Sequence, residues 1–425
     1  VGGGSGGHIT PAVAVVREIL SLSPRAQIEF WTDRKYYKNV VKLTTEFGVA
    51  WGGGDKARAG RRGAYVRVRK VSAGKFRRYS GWGIKDYFAN FGFTMKELVW
   101  GNVKGLCGFI MGLFQSFFRL CLPSRRPDVI FLKGGFVSLP VGLAARLFKI
   151  PYVIHESDAT AGLANRLLSK RATVVALGMD LAGEKDARYV VTGIPVGNEF
   201  QKITEARQRS LKRSAGFDVD KPLVMITGGS QGALHIDEAV REILPEMLKF
   251  ASVGLVAGRA HYEEMIDLKK YEKWDSAKLK SDFRMWEFSA VMHELLGAAD
   301  VVVSRAGATT IAELAALEKA VVLVPFEKLP GGHQVKNAER LEEKGAVEMI
   351  LDAKMVAQPG ILLEKVRGLV RSPKRRQGMA EKLHQLARPD AARELAGIVI
   401  NVGKGRIDRH DEVIRKGVGK DGAKK

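Results

Sequence analysis

The segment from Asp300 to Leu341, DVVVSRAGATTIAELAALEKAVVLVPFEKLPGGHQVKNAERL, restricts the fold more than any other stretch of the chain. Val301 to Val303 is an apolar β-branched run without alternation, the pattern of a parallel strand buried on both faces. A small-residue loop follows, Ser304-Arg305-Ala306-Gly307-Ala308, and then a helical period with Ile311, Leu314 and Ala315 on one face. A second apolar run, Val321 to Pro325, ends at Gly331-Gly332-His333-Gln334. This is a strand–loop–helix–strand unit of an open α/β sheet, and such sheets bind ligands at the carboxyl ends of their strands. The helix start offers N–H groups and a positive dipole end that suit a phosphate. Thr310 and Glu313 stand three apart there. Spacing alone leaves two readings: a capping box with Glu313 tied back to the chain, or a Glu313 carboxylate that accepts hydrogen bonds from sugar hydroxyls.

Glycine loops that enter helices recur. Gly2 to Gly7 reads GGGSGG, and Gly2, Gly4 and Gly7 satisfy G-x-G-x-x-G, a pattern most glycine runs meet. Thr10 is the expected N-cap and Pro11 the first helical residue, so Ser5, Gly6 and Gly7 bring backbone N–H groups close to a diphosphate or sugar. A strand should precede this loop; since the first residue is Val1, the chain reads as truncated, with its first strand mostly missing. Pro127 to Phe131 reads as a strand followed by Lys133-Gly134-Gly135-Phe136-Val137-Ser138, glycines that serve either a second anionic group or close packing. Ile150 to His155 is a strand ending in His155-Glu156-Ser157-Asp158. Leu223 to Thr227 is another, followed by Gly228-Gly229-Ser230-Gln231-Gly232-Ala233 and a helix. Ile28 to Asp33 is a further strand, whose terminal Asp33 would suit the ribose of a nicotinamide cofactor and keeps an oxidoreductase in view.

A chain of 425 residues accommodates two domains. Its net charge of +23 is compatible with an anionic partner, whether membrane surface, nucleic acid or phosphorylated substrate, and charge alone does not choose among them. No single-module nucleic-acid motif is visible. Cys107 and Cys121 have no metal-ligand spacing and fit a reducing compartment. Asp218-Val219-Asp220 mimics a metal-binding Asp-x-Asp but lies in a polar linker before a strand. Leu98 to Leu122 carries Trp100, Leu106, Phe109, Ile110, Leu113, Phe114, Phe117 and Phe118, interrupted by Lys104, Gln115 and Arg119. It reads either as a core helix or as an interfacial helix on anionic lipid, with Lys96, Arg125 and Arg126 nearby. Gly403 to Lys425 is basic with too few apolar residues to pack, and reads as disordered.

The strings SRAGATTIAELAALEKAVVLVP and HQVKNAERL resemble the donor-nucleotide signature of the MurG family, the N-acetylglucosaminyltransferases that convert lipid I to lipid II in peptidoglycan synthesis. GGGSGGHITPAVAV is similar to that family's first glycine loop, and GGSQGA to one of its more distinctive strings. The resemblance extends unevenly to about Ile400. It implies a GT-B architecture, two Rossmann-like domains with parallel sheets facing a central cleft. Residues 1–193 would form the acceptor- and membrane-facing domain, 194–387 the UDP-sugar domain, and 388–425 a return helix and basic tail, with Pro389 to Ile400 bracing the first domain. The implied activity is inverting transfer of N-acetylglucosamine from UDP-N-acetylglucosamine to the 4-hydroxyl of lipid I. It would take place peripherally on the cytoplasmic face of the membrane, with no cofactor and no specific nucleic acid.

Residue by residue, the resemblance implies that Glu313 grips the ribose hydroxyls, that Ala308, Thr309, Thr310, Ile311 and Ala312 line the nucleotide site, and that His333 and Gln334 reach the sugar or diphosphate. Ser230, with Gln231, is assigned to the donor diphosphate, and Ser289 to the uracil-facing loop. His8 is the expected general base, because it leaves a glycine loop at the expected cleft and a neutral imidazole suits proton abstraction near neutral pH. A histidine that only positions the loop is the other reading, and Glu156 is the alternative base. The chain departs from the family pattern at several places. His-Glu-Gln-Asn is here His155-Glu156-Ser157-Asp158, and Asp158 accepts but cannot donate a hydrogen bond as an asparagine can. Gly-Asn-Pro-Val-Arg is here Gly193-Ile194-Pro195-Val196-Gly197. Another GT-B enzyme (a glycolipid glycosyltransferase or UDP-sugar epimerase) and a degenerate non-catalytic paralogue are the competing expectations.

Overall fold

The computed structural model describes residues 1–45, 50–51, 65–75, 99–179, 186–229, 232–258, 262–263, 281–329 and 331–407. The chain divides into two compact units: Val1–Gly197 with Asp390–Lys425, and Asn198–Pro389.

In the first unit, β1 (Gln27–Thr32), β2 (Ala50–Trp51) and β3 (Tyr65–Lys70) form a parallel sheet in the order β1-β3-β2. A second parallel sheet runs β4 (Ile130–Leu132), β5 (Tyr152–Glu156), β6 (Val174–Leu177), β7 (Tyr189–Val191). Val1 and Gly2 lie between the two. Gly2 N donates to Trp31 O at 3.1 Å, and Lys133 N donates to Val1 O at 3.0 Å. Strand order therefore reverses direction at Val1–Gly2, with β1 on one side and β4 on the other. Such a switch point leaves a crevice at the strand ends because the two flanking loops diverge. The helix Gly6–Leu22 packs Ile9, Val13 and Val16 against Phe30, Val66 and Val68. On another side its Val15 joins Val153, Val174, Leu395, Ile398 and Val402, so the helix Ala391–Gly403 returns to the first unit across nearly two hundred intervening residues of the second. Residues 408–425, most of the expected disordered tail, lie outside the described residues.

The helix Gly101–Leu120 is turned inside out relative to a core helix. Its buried residues are Gly105, Gly112, Ser116 and Leu120. Its exposed ones include Val103, Leu106, Ile110, Met111, Phe114 and Phe118, with Phe118 at 63% exposure. Backbone packs on backbone: a Cβ on Gly112 would meet Ser72 O at 2.0 Å. Gln115 accepts from Ser72 N at 2.7 Å, and Arg119 pairs with Glu29 at 2.6 Å, fixing the orientation. The core-helix reading therefore fails for most of this segment's aromatics. Only small residues allow the close approach, so the large ones point outward. Among the described residues this is the one helix long and apolar enough to cross a membrane.

The second unit holds a six-stranded parallel sheet of β8 (Leu223–Thr227), β9 (Ser252–Val256), β10 (Phe283–Trp286), β11 (Val301–Ser304), β12 (Ala320–Leu323) and β13 (Glu348–Met349), ordered β10-β9-β8-β11-β12-β13. Every residue of β8, β9, β11 and β12 is buried, as their unbroken apolar runs require. One face packs Ile236, Val240, Ile243, Leu362 and Val366. The other packs Leu211, Leu295, Ile311, Leu314 and Leu383. Each such side chain contributes roughly 1.5–3 kcal/mol relative to exposure. The order reverses between β8 and β11, whose register sets Thr227 opposite Ser304. The loops that open at the switch point are thus GGSQGA and SRAGA.

Candidate functional site

The first unit gathers two glycine loops and the end of β5 at its switch point. The first helix begins at Gly6, with Ser5 extended before it (φ −160°, ψ 162°). Thr10 is not its N-cap: it is a turn into the helix, its hydroxyl donating to Gly6 O at 3.2 Å, and Pro11 lies inside. First-turn amides need no intrahelical acceptor, so the glycines enter the helix without losing bonds. His8 consequently sits in the first turn. Its imidazole rests on the second loop, where Gly135 holds φ +75° and a Cβ would lie 3.1 Å from His8 Nε2. Gly4, at φ +84°, lies so close to Phe136 that a Cβ would come within 2.6 Å of the ring. The glycines of the second loop therefore pack. Asp33, the residue expected to suit a nicotinamide ribose, accepts instead from the backbone of Tyr36 at 3.1 Å and from that of Gly4. Burial raises its pKa, and those backbone donors oppose the rise.

β5 carries His155 and Glu156 into the same region, both buried. His155 Nε2 lies 2.8 Å from Gly193 O and must be the protonated nitrogen there, since a carbonyl only accepts. Burial holds this imidazole well below its usual pKa, and the positive charge of Lys133 adds to the effect. Glu156 accepts from Asp158 N at 3.1 Å, Gly162 N at 2.9 Å and Asn165 Nδ2 at 2.9 Å. Its carboxylate thereby folds the loop 157–165 back over the strand end. Lys133, in the second loop, is 1% exposed, and its ammonium donates to Ser157 Oγ at 2.6 Å. Burial lowers its pKa to about 8, against the opposing pull of Glu156 and Asp158. Asp158 is half-buried.

In the second unit the helix Ala308–Ala316 is capped by Gly307 with no side-chain cap bond. Thr310 is therefore its third residue and Glu313 its sixth, and the capping-box reading falls. The small residues Ala306 and Gly307 let the helix start a turn early, and its first intrahelical bond is Ile311 N to Gly307 O. Ala308 and Ile311 face inward. Thr309, Thr310 and Ala312 are half-buried. Glu313 is half-buried too; burial pushes its carboxyl up to about 8, with a further push from the charge of Glu199. Gln334 accepts from Phe326 N at 3.0 Å, and His333 begins the helix His333–Glu343 after Gly332 in the left-handed region. Ser289 accepts from Val291 N at 3.2 Å, closing the turn before the helix Met292–Ala298. Ser230 and Gln231 lie outside the described residues. The glycines beside them are described, and Gly229, at φ +76°, has open space on the side where a Cβ would stand.

Several residues here carried no signal in the sequence. Arg305 bonds Asp352 at 2.5 Å and Val324 O at 3.1 Å, while His235 Nδ1 lies 2.6 Å from the other Asp352 oxygen. This chain ties the loop after β11 to the helix after β8. Asn337, fully buried, donates to Ala306 O at 3.3 Å and fixes the same loop from below. Asp237 is fully buried in the helix Leu234–Met247, with neither carboxylate oxygen bonded, and burial pushes it up to about 8.

The two units agree with what is known of other proteins. Residues 223–395 match the glycosyltransferase family 28 C-terminal domain and residues 69–177 the corresponding N-terminal domain. The UDP-N-acetylglucosamine–N-acetylmuramyl-(pentapeptide) pyrophosphoryl-undecaprenol N-acetylglucosamine transferase of Bacillus cytotoxicus is 31% identical over 399 residues, 93% of this chain and 96% of that protein. The same enzyme of Clostridium kluyveri is 32% identical over 372 residues, 87% of this chain and 89% of that protein. Among solved structures, Acinetobacter baumannii MurG superposes with a TM-score of 0.62 at 22% identity, covering 94% of this chain and 97% of that one. The calicheamicin glycosyltransferase CalG4 reaches 0.60 at 14% identity, covering 96% and 97%. The fold is the two-domain GT-B arrangement of Rossmann-like units that these proteins share.

Proposed function

The chain belongs to the MurG family of glycosyltransferases, and from that premise we propose how its parts carry out transfer of N-acetylglucosamine from UDP-N-acetylglucosamine to lipid I, giving lipid II. The observation that carries the assignment is the repetition of one device. Each unit places glycine loops and a helix start at the point where its strand order reverses.

The second unit takes the donor. Glu313 accepts hydrogen bonds from the ribose hydroxyls, Ser289 lies by the uracil, and Thr309, Thr310 and Ala312 stand where the nucleotide crosses the helix start. Ser230, Gln231 and the amides around Gly229 meet the diphosphate, with His333 and Gln334 on the sugar side. The first unit takes the acceptor, against Ser5, Gly6, Gly7 and Asp158. His8 removes the proton from the acceptor 4-hydroxyl. That oxygen bonds to the anomeric carbon on the face opposite UDP, and the bond from that carbon to the β-phosphate oxygen breaks, so configuration inverts. The leaving charge is met by the amides of the helix start that follows the glycine loop. Glu156 acts on the loop rather than on substrate, because three N–H donors occupy its oxygens.

A lipid-linked acceptor requires access to a bilayer. We assign that contact to the outer face of Gly101–Leu120, where Phe114, Phe118 and Met111 are exposed beside Lys104, Arg125, Arg126 and Lys149. In this reading the enzyme works peripherally on the cytoplasmic, anionic face, and the exposed aromatics beside basic residues support it. Incubation with radiolabelled UDP-N-acetylglucosamine and a lipid I analogue tests the function directly. Labelled lipid II is the expected product, and its absence in the presence of confirmed donor binding rejects the assignment.

A further inference from the structure

One buried group that the proposed chemistry leaves unused is Lys133. It is a fully buried lysine at the carboxyl end of β4, directly beside the strand reversal. Lysine almost never occupies such a place without a partner of specific purpose. Its ammonium is held by Ser157 Oγ at 2.6 Å, and the charges it feels are those of Glu156 and Asp158. His155 on β5 is a neighbouring titratable group that burial also holds toward its neutral form, and it in turn feels both Lys133 and His8. Of the two acids, Glu156 is consumed by its own loop. Asp158 is the half-buried one, and it follows Ser157 immediately. Ser157 and Asp158 are also the two positions at which this chain departs from His-Glu-Gln-Asn.

We infer that Lys133, Ser157 and Asp158 form one acceptor-recognition unit, in which Lys133 is a positioning residue. Resting on the acceptor assignment above, it fastens Ser157 and so orients the adjacent Asp158 carboxylate toward an N–H or O–H donor of the acceptor sugar. The chemistry is one-sided. A carboxylate only accepts, so the group it reads must donate: an acetamido N–H or a hydroxyl. A second carboxylate placed beside Glu156 would repel it in a half-buried site. A buried ammonium fastened to the adjacent serine removes that repulsion without entering the substrate's space. The charge at Lys133 is thus the counterpart of the aspartate, and neither substitution is intelligible alone.

The test compares wild type with Lys133→Met, Ser157→Ala, Asp158→Asn and Lys133→Met/Asp158→Asn. Acceptor KM, donor KM and kcat are measured from pH 6 to 9.5, and acceptor binding is measured calorimetrically without donor. Lys133→Met and Asp158→Asn are each expected to raise acceptor KM and weaken acceptor binding about tenfold, with donor KM changed less than about twofold. The double variant is expected to be no worse than the poorer single one, because the two residues act as a unit. Wild-type acceptor affinity should fall as pH rises through about 8, where the lysine loses its charge, and Lys133→Met should lack that limb. Ser157→Ala keeps both charges, and should show a smaller loss of the same kind even if Lys133→Met folds poorly. Additive losses, or a Lys133→Met defect shared equally by donor KM, would overturn the proposal. If wild type binds acceptor but transfers nothing, the enzymatic assignment fails while the binding series still decides the role of Lys133. If it binds no acceptor, both fall.

Discussion

The imidazole of His8 rests on the backbone of Gly135, so closely that a single added carbon there would stand 3.1 Å from Nε2. Two loops more than a hundred residues apart thus set the position of one nitrogen. Gly135→Ala must both force a side chain into the left-handed region and push the ring. It is expected to lower kcat at least about tenfold while leaving UDP affinity intact, since the residues proposed for the donor belong to the other unit. His8→Ala should lower kcat by about 10² to 10⁴, the usual contribution of a general base, with UDP affinity again retained. Steady-state kinetics beside nucleotide calorimetry checks both, and a His8→Ala enzyme with wild-type turnover removes His8 from the chemistry.

Glu313 supplies a pH signature. With its carboxyl pushed up to about 8, it is mostly protonated at pH 7 in the free protein. Hydroxyls that donate to it favour the carboxylate, so nucleotide binding at pH 7 should release a proton, and affinity should tighten as pH rises toward 8. Glu313→Gln abolishes the release and weakens UDP binding by about 1.5–3 kcal/mol, the value of hydrogen bonds to a charged group. Titrations in buffers of different ionisation enthalpy measure the proton directly.

Asp237 predicts a stabilising substitution. A carboxyl whose folded pKa stands at about 8, above its ordinary 3.8, favours the folded state fully only below that ordinary value. The advantage drains away as pH rises through 8, because the unfolded chain ionises first. Asp237→Asn should therefore raise stability by about 1–3 kcal/mol at pH 8, and change little at pH 4. Thermal melts of the two proteins across that range give the sign.

The outer face of Gly101–Leu120 predicts a separation of binding from chemistry. Phe114→Ser and Phe118→Ser should each weaken co-sedimentation with anionic vesicles about tenfold, in line with roughly 1.5–3 kcal/mol per buried aromatic. Turnover on a short-chain, water-soluble acceptor should be unchanged. Vesicle binding indifferent to both substitutions and to salt would remove this face from membrane attachment.

How much of this was readable beforehand depended on whether a signal was local. The apolar runs Leu223–Thr227 and Val301–Val303 announced buried parallel strands, because burial on both faces leaves no alternation to misread. The glycine loops announced helix starts, though Thr10 and Thr310 pointed one turn too late, since small residues let each helix begin earlier than a threonine cap would. The aromatic helix stayed between two readings for a different reason. Its glycines at 105, 108 and 112 encode the buried side, but a hydrophobicity pattern counts phenylalanines and not the absence of side chains. Lys133 could not be read at all. A lysine beside two glycines looks like a solvated loop until the fold sets Ser157 next to it.

The inverted helix leaves the molecule with unspent affinity. In water its phenylalanines contribute little to folding, and the gain from removing them from solvent is deferred until an apolar phase arrives. A non-ionic detergent micelle should therefore act as a ligand of the native state and raise its melting temperature, a linkage that makes purification in plain buffer the harsher environment for this protein.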